Sequence, residues 1–279
     1  MSESRGTVNN TPLKDTPPLV ALVTGGGTGF GAATAELLAE RGWKVAVCGR
    51  REKPLQAVAE ATGGLPVRAD LADPDAGAAV VDAVLAEFGR LDGLVLNAGI
   101  QRLGNLETLS RQDWDDVFAT NVSGPFHLAK AALPHLLASR GTVVSVSSVA
   151  AIRTAIGMTG YGASKAALSA LTHSIAVEYG PAGVRANVVC PGWGRTEMAD
   201  DEMVEIGRPR GLDVDEAYAL VTSLVPLRRP GQAREMAAAI VWLLSSESSY
   251  VNGATLTVDG GHTALDPGTV PFDERVTIR

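Results

Sequence analysis

The sequence predicts an α/β fold in which one doubly wound, mostly parallel sheet of seven strands has helices on both faces. Short apolar runs alternate with helical patterns along the chain, as in successive strand–helix–strand units. The runs are apolar throughout, which is typical of strands covered on both faces. No repeat and no shift in composition divides the 279 residues, so we expect a single domain.

The seven predicted strands are short, apolar and rich in β-branched residues, with glycine or polar residues at their boundaries. The first of them runs directly into a glycine cluster. They cover residues 19–23, 45–48, 65–69, 91–96, 142–146, 185–190 and 254–258.

The predicted helices join these strands and place apolar residues three or four positions apart. One of them opens at Asp73-Pro74, because aspartate caps a helix and proline suits its first turn. The longest covers residues 111–137, and Gly124-Pro125 is expected to bend it. The other helices are predicted over residues 29–41, 54–61, 161–179 and 235–244.

Two terminal segments and one internal segment depart from the regular pattern of a core domain over residues 19–263. Residues 1–18 are polar and lack the apolar stretch of a signal peptide, so a disordered leader is expected. Residues from about 197 to 229 are first acidic and then rich in Gly and Pro, which predicts a lid with one or two short helices. Residues 264–279 lack a regular period, and this tail is expected to reach a neighbouring subunit's active site.

The composition argues against several classes of protein. Lys and Arg number 24 against 31 Asp and Glu, and the net charge of −7 disfavours nucleic acid as a partner. No apolar run approaches the roughly 18 residues that a membrane span needs. Cys48 and Cys190 lie in apolar runs, so we expect two reduced, buried thiols in a cytoplasmic protein. The four histidines show no ligand spacing, and no metal site is expected.

A glycine-rich turn from Thr24 to Gly31 joins the first strand to the first helix. Glycines let the backbone turn tightly and approach a pyrophosphate without a Cβ in the way. The helix N-terminus adds unpaired N–H groups and a partial positive charge. A glycine cluster alone is a weak signal, but its place between a strand and a helix near the chain start predicts a dinucleotide site.

The spacing of this turn, T-G-x-x-x-G-x-G, resembles that of the classical short-chain dehydrogenase/reductase family, which has a Rossmann-like fold. The resemblance extends from about Leu19 to His262. It implies an NAD(P)(H)-dependent oxidoreductase that transfers a hydride between a nicotinamide and an alcohol or ketone, as carbonyl reductases, alcohol dehydrogenases and 3-oxoacyl reductases do. The matching residues beyond the turn are Asp70, Asn97-Ala98-Gly99, Asn121, Ser147-Ser148, Tyr161 with Lys165, Pro191-Gly192, Thr196 and Asp259-Gly260-Gly261.

Tyr161 and Lys165 stand four residues apart and share one face of a predicted helix. A phenol with a pKa of about 10 is a poor acid or base at neutral pH, and a nearby ammonium would lower that pKa. Tyr161 is therefore the predicted acid/base. A Tyr and a Lys at this spacing are by themselves usually a surface pair, and Ser147-Ser148 alone is usually a turn, so the assignment depends on the whole set of matches.

The resemblance implies roles for further residues. Ser148, thirteen residues before Tyr161, would hold the substrate oxygen. Lys165 would also bind the ribose hydroxyls, and Asn121 would hold a water that relays protons to Lys165. The residues predicted to bind the cofactor are Gly25, Gly27, Thr28, Gly29, Phe30, Gly31, Arg50, Arg51, Asp70, Leu71, Asn97, Ala98, Gly99, Tyr161, Lys165, Pro191, Gly192, Gly194 and Thr196.

The end of the second strand bears on the choice of cofactor. A dinucleotide fold commonly places an acid there for the ribose 2′-hydroxyl, and this acid would repel a 2′-phosphate. Here Gly49 is followed by Arg50 and Arg51, and a guanidinium pairs well with phosphate. We therefore expect NADP(H). NAD(H) is the alternative, because the arginines could be solvated charges and Thr28 replaces a basic residue of some NADP-preferring members.

The substrate, a small alcohol or ketone, is not identified further by the sequence. Arg102 and Arg153 could meet an anionic substrate, but charged loop residues are usually solvated. Trp193 could wall the pocket or simply pack. Gly194 stands where the family usually has a branched apolar residue, so its loop is expected to be less stiff. The pocket is predicted to be lined by the lid and by Ile100, Arg102, Ser148, Val149, Arg153 and Trp193.

The resemblance also implies a homotetramer, because similar family members pair through the long helices after strands four and five. These helices offer small and apolar residues suited to close packing. The residues expected on that surface are Phe118, Phe126, Leu128, Ala166, Ala167, Leu168 and Ala170.

Two rival interpretations come from other functional classes. The first is a dinucleotide-binding regulator without turnover, which would keep the glycine turn and lose the Tyr–Lys pair. The second is a serine hydrolase, because Gly162 to Ala166 nearly matches the nucleophile elbow G-x-S-x-G. This segment lacks the final glycine and lies within a predicted helix, both of which disfavour a hydrolase.

Overall fold

The computed structural model describes residues 17–273, whose strands form one seven-stranded sheet with every neighbouring pair parallel. The predicted sheet is confirmed, and the strand over residues 142–146 has the predicted bounds. The strands are β1 (Val20–Thr24), β2 (Lys44–Gly49), β3 (Leu65–Arg68), β4 (Gly93–Leu96), β5 (Thr142–Val146), β6 (Arg185–Pro191) and β7 (Thr255–Val258).

The strand order is β3-β2-β1-β4-β5-β6-β7, so the direction of winding reverses between β1 and β4. In a doubly wound sheet, the carboxyl ends of the strands at such a reversal open into a crevice where ligands bind. The fold therefore places a binding site beyond Thr24 and Leu96, the last residues of these two strands.

Helices cover both faces of the sheet, as predicted. The last elements of the described residues are two short 3₁₀ turns, His262–Ala264 and Pro267–Phe272. The helices are α1 (Gly29–Glu40), α2 (Glu52–Thr62), α3 (Ala76–Phe88), α4 (Arg111–Phe118), α5 (Gly124–Ser139), α6 (Thr159–Tyr179), α7 (Glu197–Gly207), α8 (Val214–Val221) and α9 (Ala233–Leu244).

The sheet separates two hydrophobic cores, because successive side chains of a strand point to opposite faces. Leu22 of β1 is fully buried in the core formed with α3, α5 and α6. Val23, the next residue, is fully buried in the core formed with α1, α2 and α9. This two-sided burial explains the almost wholly apolar sequences of the central strands β1 and β4. The edge strands β3 and β7 instead alternate between exposed and partly buried residues.

Two helix predictions are corrected. Helix α3 begins at Ala76 rather than at Asp73-Pro74, because the Asp73 carboxylate accepts the Asp75 N–H (3.0 Å) and closes a turn before the helix. The long helix is interrupted by a π-helical turn, Ala119–Ser123, rather than by a bend at Pro125. Pro125 is the second residue of α5, just after this π-helical turn in the chain's helical course.

The predicted lid forms a packed unit of two helices, α7 and α8. Tyr218 of α8 is buried against Met203 of α7, and its hydroxyl donates to Asp200 (2.8 Å). The Arg195 guanidinium lies over the Tyr218 ring, 4.7 Å from the centroid, and forms an ion pair with Asp215. These contacts order the segment although it departs from the strand–helix pattern.

The described part of the C-terminal tail packs on its own chain. Val270 is buried, and Arg228 forms an ion pair with Asp273 (2.6 Å). The Arg153 guanidinium donates to the Thr263 carbonyl. Residues 264–273 thus lie against their own domain, and the expected approach to a neighbouring subunit receives no support from them. Residues 274–279, and residues 1–16 of the expected disordered leader, lie outside the described residues.

Several other expectations concern buried or surface groups. Cys48 and Cys190 are buried and unpaired, as predicted. Leu128 and Leu168 are fully buried in their own core, so the prediction that they contribute to a subunit interface is wrong. Between residues 17 and 273, no helix is long and apolar enough to cross a membrane, and no group of three potential metal ligands is found.

Candidate active site

A cavity of about 1280 Å³ opens at the carboxyl ends of the strands. It is lined by every residue predicted to bind cofactor or substrate, or to catalyse the reaction, except Gly31 and Asn121. These two residues are buried and do not line the cavity. The fold therefore brings residues from nearly the whole chain to one site, as the order of the motifs predicted.

The glycine turn shapes one end of this cavity. Gly25 has a φ of +60°, a backbone conformation that favours glycine. A Cβ on Gly31 would lie 2.2 Å from the Gly25 carbonyl oxygen, so only glycine lets α1 pack this closely on the turn. The result is a groove bordered by backbone at the N-terminus of α1, the kind of surface that a pyrophosphate binds.

Thr24 and Asn97 tie the glycine turn to the end of β4. The Thr24 hydroxyl accepts the N–H groups of Asn97 and Ala98, both at 2.9 Å. The Asn97 side-chain amide donates to the carbonyls of Thr24 (2.8 Å) and Gly25 (3.2 Å). Asn97 was predicted to bind the cofactor, whereas Thr24 was missed as a positioning residue, although it begins the T-G motif.

Tyr161 and Lys165 lie on α6, with the Lys165 Nζ atom 5.7 Å from the centroid of the Tyr161 ring. The Lys165 ammonium donates to the Val146 carbonyl (2.9 Å) and is almost fully buried. Burial lowers the pKa of Lys165 to about 8. Burial also raises the pKa of Tyr161 to about 12, and the Ser148 hydroxyl beside the phenol acts in the opposite direction.

These directions revise the predicted electrostatics of the pair. The sequence argument expected the ammonium to lower the phenol's pKa. In this structure desolvation is the largest cause of both shifts, so the pKa of each group moves in the direction that favours its neutral form. The neighbouring Lys165 ammonium alone therefore does not bring the pKa of Tyr161 below its ordinary value.

Asn121 lies fully buried in the π-helical turn behind the cavity. Its Oδ1 atom accepts the Ile100 N–H (2.8 Å), and its Nδ2 atom donates to the Ile100 carbonyl (2.9 Å) and to the Ser164 hydroxyl (3.0 Å). A Cβ on Gly99 would lie 3.1 Å from the Lys165 Nζ atom and 3.3 Å from the Asn121 Oδ1 atom. Asn121 therefore fixes the loop after β4 beside Lys165.

Ser164 is unsuited to nucleophilic attack, which disfavours the hydrolase interpretation. It is fully buried inside α6 rather than on a strand-to-helix turn. Its hydroxyl donates to the Tyr161 carbonyl (2.7 Å) and accepts from Asn121. The Ser148 hydroxyl, by contrast, lies at the cavity wall, where it accepts the Ala150 N–H (3.1 Å).

The two arginines after β2 have different environments. Arg50 is exposed and forms no ion pair with a described residue. Arg51 is paired with Glu197, the first residue of α7, and also donates to the Thr28 hydroxyl (3.3 Å). The nearest heavy atom to a Cβ on Gly49 would be 3.7 Å away, so the position usually held by an acid has room for one.

Phe30 and Gly194 pack against each other at the cavity wall. A Cβ on Gly194 would lie 2.6 Å from the Phe30 ring, so the ring fills the space of a side chain at that position. Backbone hydrogen bonds with Gly231 hold the loop on both sides, from Gly231 N–H to the Trp193 carbonyl (2.8 Å) and from Arg195 N–H to the Gly231 carbonyl (2.9 Å). These bonds constrain a loop that was expected to be less stiff.

Trp193 takes both of the roles that the sequence left open. It lines the cavity and also packs against the lid cluster around Met203. Arg102 and Arg153 line the cavity as well, but protein groups occupy them. Arg102 lies 3.4 Å from an Asp113 carboxylate oxygen, and Arg153 donates to the Thr263 carbonyl. An anionic substrate would have to compete with both partners.

Sequence reasoning missed several polar residues of the cavity wall, namely Gln101, Glu202 and His262. Burial raises the pKa of the Glu202 carboxyl, and the Gln101 amide beside it acts in the opposite direction. Gln101 follows the Asn97-Ala98-Gly99 motif closely, which could have indicated it. Glu202 lies on the lid, where Glu197, Asp201 and Glu205 also line the cavity, and only the tertiary packing shows that Glu202 is the most buried of them.

Comparison with known proteins gives a consistent result. A family model described as enoyl-(acyl carrier protein) reductase matches residues 25–263. The 2-(R)-hydroxypropyl-CoM dehydrogenase of Xanthobacter autotrophicus is 37% identical over 88% of this chain and 99% of that protein. The 3-oxoacyl-(acyl-carrier-protein) reductase FabG of Escherichia coli is 36% identical over 87% of this chain and 96% of that protein.

The fold is also similar to solved structures over about nine-tenths of the chain. Levodione reductase superposes with a TM-score of 0.85 at 34% identity, covering 90% of this chain and 99% of that one. A variant actinorhodin polyketide ketoreductase with NADPH gives a TM-score of 0.85 at 29% identity, covering 89% and 98% of the two chains. The relatives and the structural neighbours thus agree over the region that forms the cavity.

Proposed function

The chain belongs to the short-chain dehydrogenase/reductase family, and from this premise we propose that Tyr161, Ser148 and Lys165 carry out its chemistry. As a member of that family it is an NAD(P)(H)-dependent oxidoreductase acting on alcohol and carbonyl groups. The observation that carries the proposal is that these three side chains line the same cavity as the glycine turn.

The proposed mechanism assigns one task to each side chain. Bound NAD(P)(H) supplies or accepts the hydride. The Ser148 hydroxyl, close to the phenol, holds the substrate oxygen and stabilises the charge that develops on it. The Tyr161 hydroxyl gives a proton to that oxygen in ketone reduction and takes it back in alcohol oxidation. The Lys165 ammonium favours the phenolate form, against the burial that raises the pKa of Tyr161 to about 12.

The residues around the cavity fit a dinucleotide. The glycine turn at the N-terminus of α1 would hold the pyrophosphate, because Gly31 has no Cβ to collide with the Gly25 carbonyl and so lets the helix pack closely on the turn. Lys165 would bind the ribose hydroxyls. Asp70, which is exposed at the cavity wall, and Leu71 would border the adenine. Pro191, Gly192, Gly194 and Thr196 would border the nicotinamide half, and the Asn121 side chain would act by fixing the loop after β4.

NADP(H) is the proposed cofactor, with NAD(H) as the alternative. Gly49 stands where many dinucleotide folds have an acid that would repel a 2′-phosphate. The structure has space for a side chain at this position. Arg50 has no competing ion pair among the described residues. The similar actinorhodin polyketide ketoreductase was solved with NADPH, which supports the same choice. The values of kcat/KM with NADPH and with NADH test it, and a clear preference for NADH would refute it.

The proposal extends to assembly and location. A homotetramer is supported by apolar or small side chains left exposed on the long helices, such as Phe126 on α5 and Ala166 and Ala170 on α6. Leu128 and Leu168 are not part of that surface, because both are fully buried. The two buried, unpaired thiols support a cytoplasmic location. Size-exclusion chromatography with light scattering would test the tetramer.

A panel of alcohols and ketones tests the proposed activity, with turnover followed at the absorbance band of the reduced nicotinamide. We expect Tyr161→Phe to lose most of the rate on the best substrate while retaining cofactor binding. Equal rates for the wild type and this variant would remove Tyr161 from the mechanism. Tight cofactor binding without any turnover would favour the rival interpretation of a non-catalytic regulator.

A further inference from the structure

Two buried polar atoms of the cavity wall have no partner. Among the described residues, the buried side-chain nitrogen and oxygen atoms without a hydrogen bond are the Gln101 Nε2 and His262 Nδ1 atoms. Both residues line the active-site cavity. Native proteins leave few buried polar groups unsatisfied, because each one has lost its hydrogen bonds to water. This wall is therefore suited to polar ligand atoms rather than to a purely apolar substrate.

Glu202 places a carboxyl group beside the same part of the wall. It is half-buried on α7, and the Gln101 amide acts to lower the pKa of its carboxyl. The Gln101 Nε2 atom nevertheless forms no well-aligned hydrogen bond with it. Glu202, Gln101 and Tyr161 all line the cavity, and the Glu202 charge contributes to the raised pKa of Tyr161. The wall that holds Tyr161 thus also offers an acceptor and a donor to a bound substrate.

We infer that the substrate carries a second hydroxyl group near the reacting carbon, and that Glu202 and Gln101 bind it. This inference rests on the proposed function, since it takes Tyr161 as the position of the reacting oxygen. A hydroxyl is the group that satisfies both side chains at once. Its O–H donates to the Glu202 carboxylate, and its lone pairs accept from the Gln101 Nε2 atom.

Other common substituents satisfy this wall less well. An ammonium donates to Glu202 but offers Gln101 no acceptor. A carbonyl accepts from Gln101 but has nothing to donate to Glu202. A carboxylate or phosphate is repelled by Glu202, and the arginines of the cavity, Arg102 and Arg153, already have protein partners. The substrate class is therefore a diol or a hydroxyketone.

Matched substrates test this inference directly. Cyclohexanol is compared with the cis and trans vicinal cyclohexanediols, and cyclohexanone with its α-hydroxy derivative, in the wild-type enzyme with its cofactor. We expect the hydroxylated member of a pair to have a kcat/KM at least about tenfold higher, as a hydrogen bond to a charged group provides. Glu202→Ala and Gln101→Ala should each reduce that ratio toward one.

Glu178→Gln is the control, because it removes a carboxylate outside the cavity. Glu178 is exposed near the end of α6 and does not line the cavity, so this variant should keep the wild-type ratio. Thermal unfolding and the Kd for NADPH verify that each variant is folded and binds cofactor.

Three outcomes separate this inference from the proposed function. Wild-type enzyme that turns over both members of a pair equally overturns the inference and leaves the proposed function intact. A preference that survives in Glu202→Ala also overturns the inference, because the second hydroxyl is then bound elsewhere. Enzyme that turns over no alcohol or ketone contradicts the proposed function, and the inference fails with it.

Discussion

Arg51 and Glu197 form a two-point ion pair across the mouth of the cavity, with each terminal guanidinium nitrogen 2.6 Å from a different carboxylate oxygen. Arg51 follows β2 and Glu197 begins α7, so the pair links the cofactor end of the cavity to the lid. Both side chains are more than half exposed, and such pairs contribute little to stability. The pair can therefore open when another anion approaches Arg51.

Glu197→Gln is expected to increase the preference for NADPH over NADH. The change removes the carboxylate that competes with a 2′-phosphate for Arg51 and that would repel it. We expect the ratio of the two Kd values to shift toward NADPH by about two- to fivefold, the size of one exposed charge interaction. Fluorescence titration with each cofactor measures it, and Glu178→Gln, at an exposed position outside the cavity, is the control of equal charge. An unchanged ratio would show that the ion pair does not compete with the cofactor.

Gly49→Asp is expected to shift the enzyme toward NAD(H). The Cβ has room, and the new carboxylate would accept a bond from a ribose 2′-hydroxyl and repel a 2′-phosphate. The ratio of kcat/KM with NADPH to that with NADH should fall by about tenfold or more, equivalent to at least about 1.4 kcal/mol. Gln56→Glu adds the same charge at an exposed site on α2 and should leave the ratio near the wild-type value. Loss of both activities together would contradict this account of selectivity.

The sheet and the glycine turn could be predicted because their signals are local. A strand covered on both faces must be apolar throughout, as Val23 and its neighbours in β1 are. A turn that carries the close approach of Gly25 and Gly31 must contain glycine. These requirements are written in consecutive residues and need no knowledge of the rest of the chain.

Features that depend on distant pairs could not be predicted in this way. The Arg51–Glu197 pair joins residues 146 positions apart, and the packing of Phe30 on Gly194 joins α1 to a distant loop. The π-helical turn at Asn121 accompanies side-chain bonds to Ile100, which the spacing of apolar residues does not report. Site residues were predicted where a motif names them, and Glu202 was missed because nothing in its sequence context distinguishes it from Asp201.

Lys165→Met is expected to raise thermal stability while impairing turnover. Burial lowers the pKa of Lys165 from its ordinary value of 10.5 to about 8, so the unfolded chain binds more protons than the folded one between these values. The buried ammonium therefore destabilises the native protein fully below pH 8, and this penalty declines as the pH rises toward 10.5. The Tm of the variant should exceed that of the wild type at pH 7, and the difference should narrow by about pH 9.5.

Differential scanning calorimetry at the two pH values measures this effect, and Lys130→Met on the exposed face of α5 is the control. The lost bond from Lys165 to the Val146 carbonyl acts against the gain. A variant with a lower Tm at pH 7 would show that this bond outweighs the desolvation of the ammonium.

Asn121→Ala is expected to destabilise the fold and to reduce turnover together. It leaves the buried N–H and carbonyl of Ile100 without their partner, and we expect a loss of about 2–4 kcal/mol in the free energy of unfolding. Urea unfolding measures this value. Loss of turnover at full stability would instead indicate that Asn121 acts on the reaction and not through the loop after β4.

Truncation before Leu265 is expected to raise the KM for the substrate and to leave cofactor binding unchanged. Leu265 and Pro267 line the chain's own cavity, and Val270 anchors the segment by burial. Without them the substrate loses apolar contact area, and the open wall admits water. We expect KM to rise by about three- to thirtyfold, which corresponds to one or two lost apolar contacts.

Steady-state kinetics with varied substrate, together with the Kd for NADPH, separate this effect from general unfolding. Arg228→Ala is a milder companion variant, because it removes only the ion pair that holds the segment at Asp273 and should raise KM less. If the tail instead completed a neighbouring subunit's site, full-length subunits that carry Tyr161→Phe would restore the activity of truncated subunits when the two are mixed. An unchanged rate per truncated subunit in that mixture indicates that the tail lies over its own cavity.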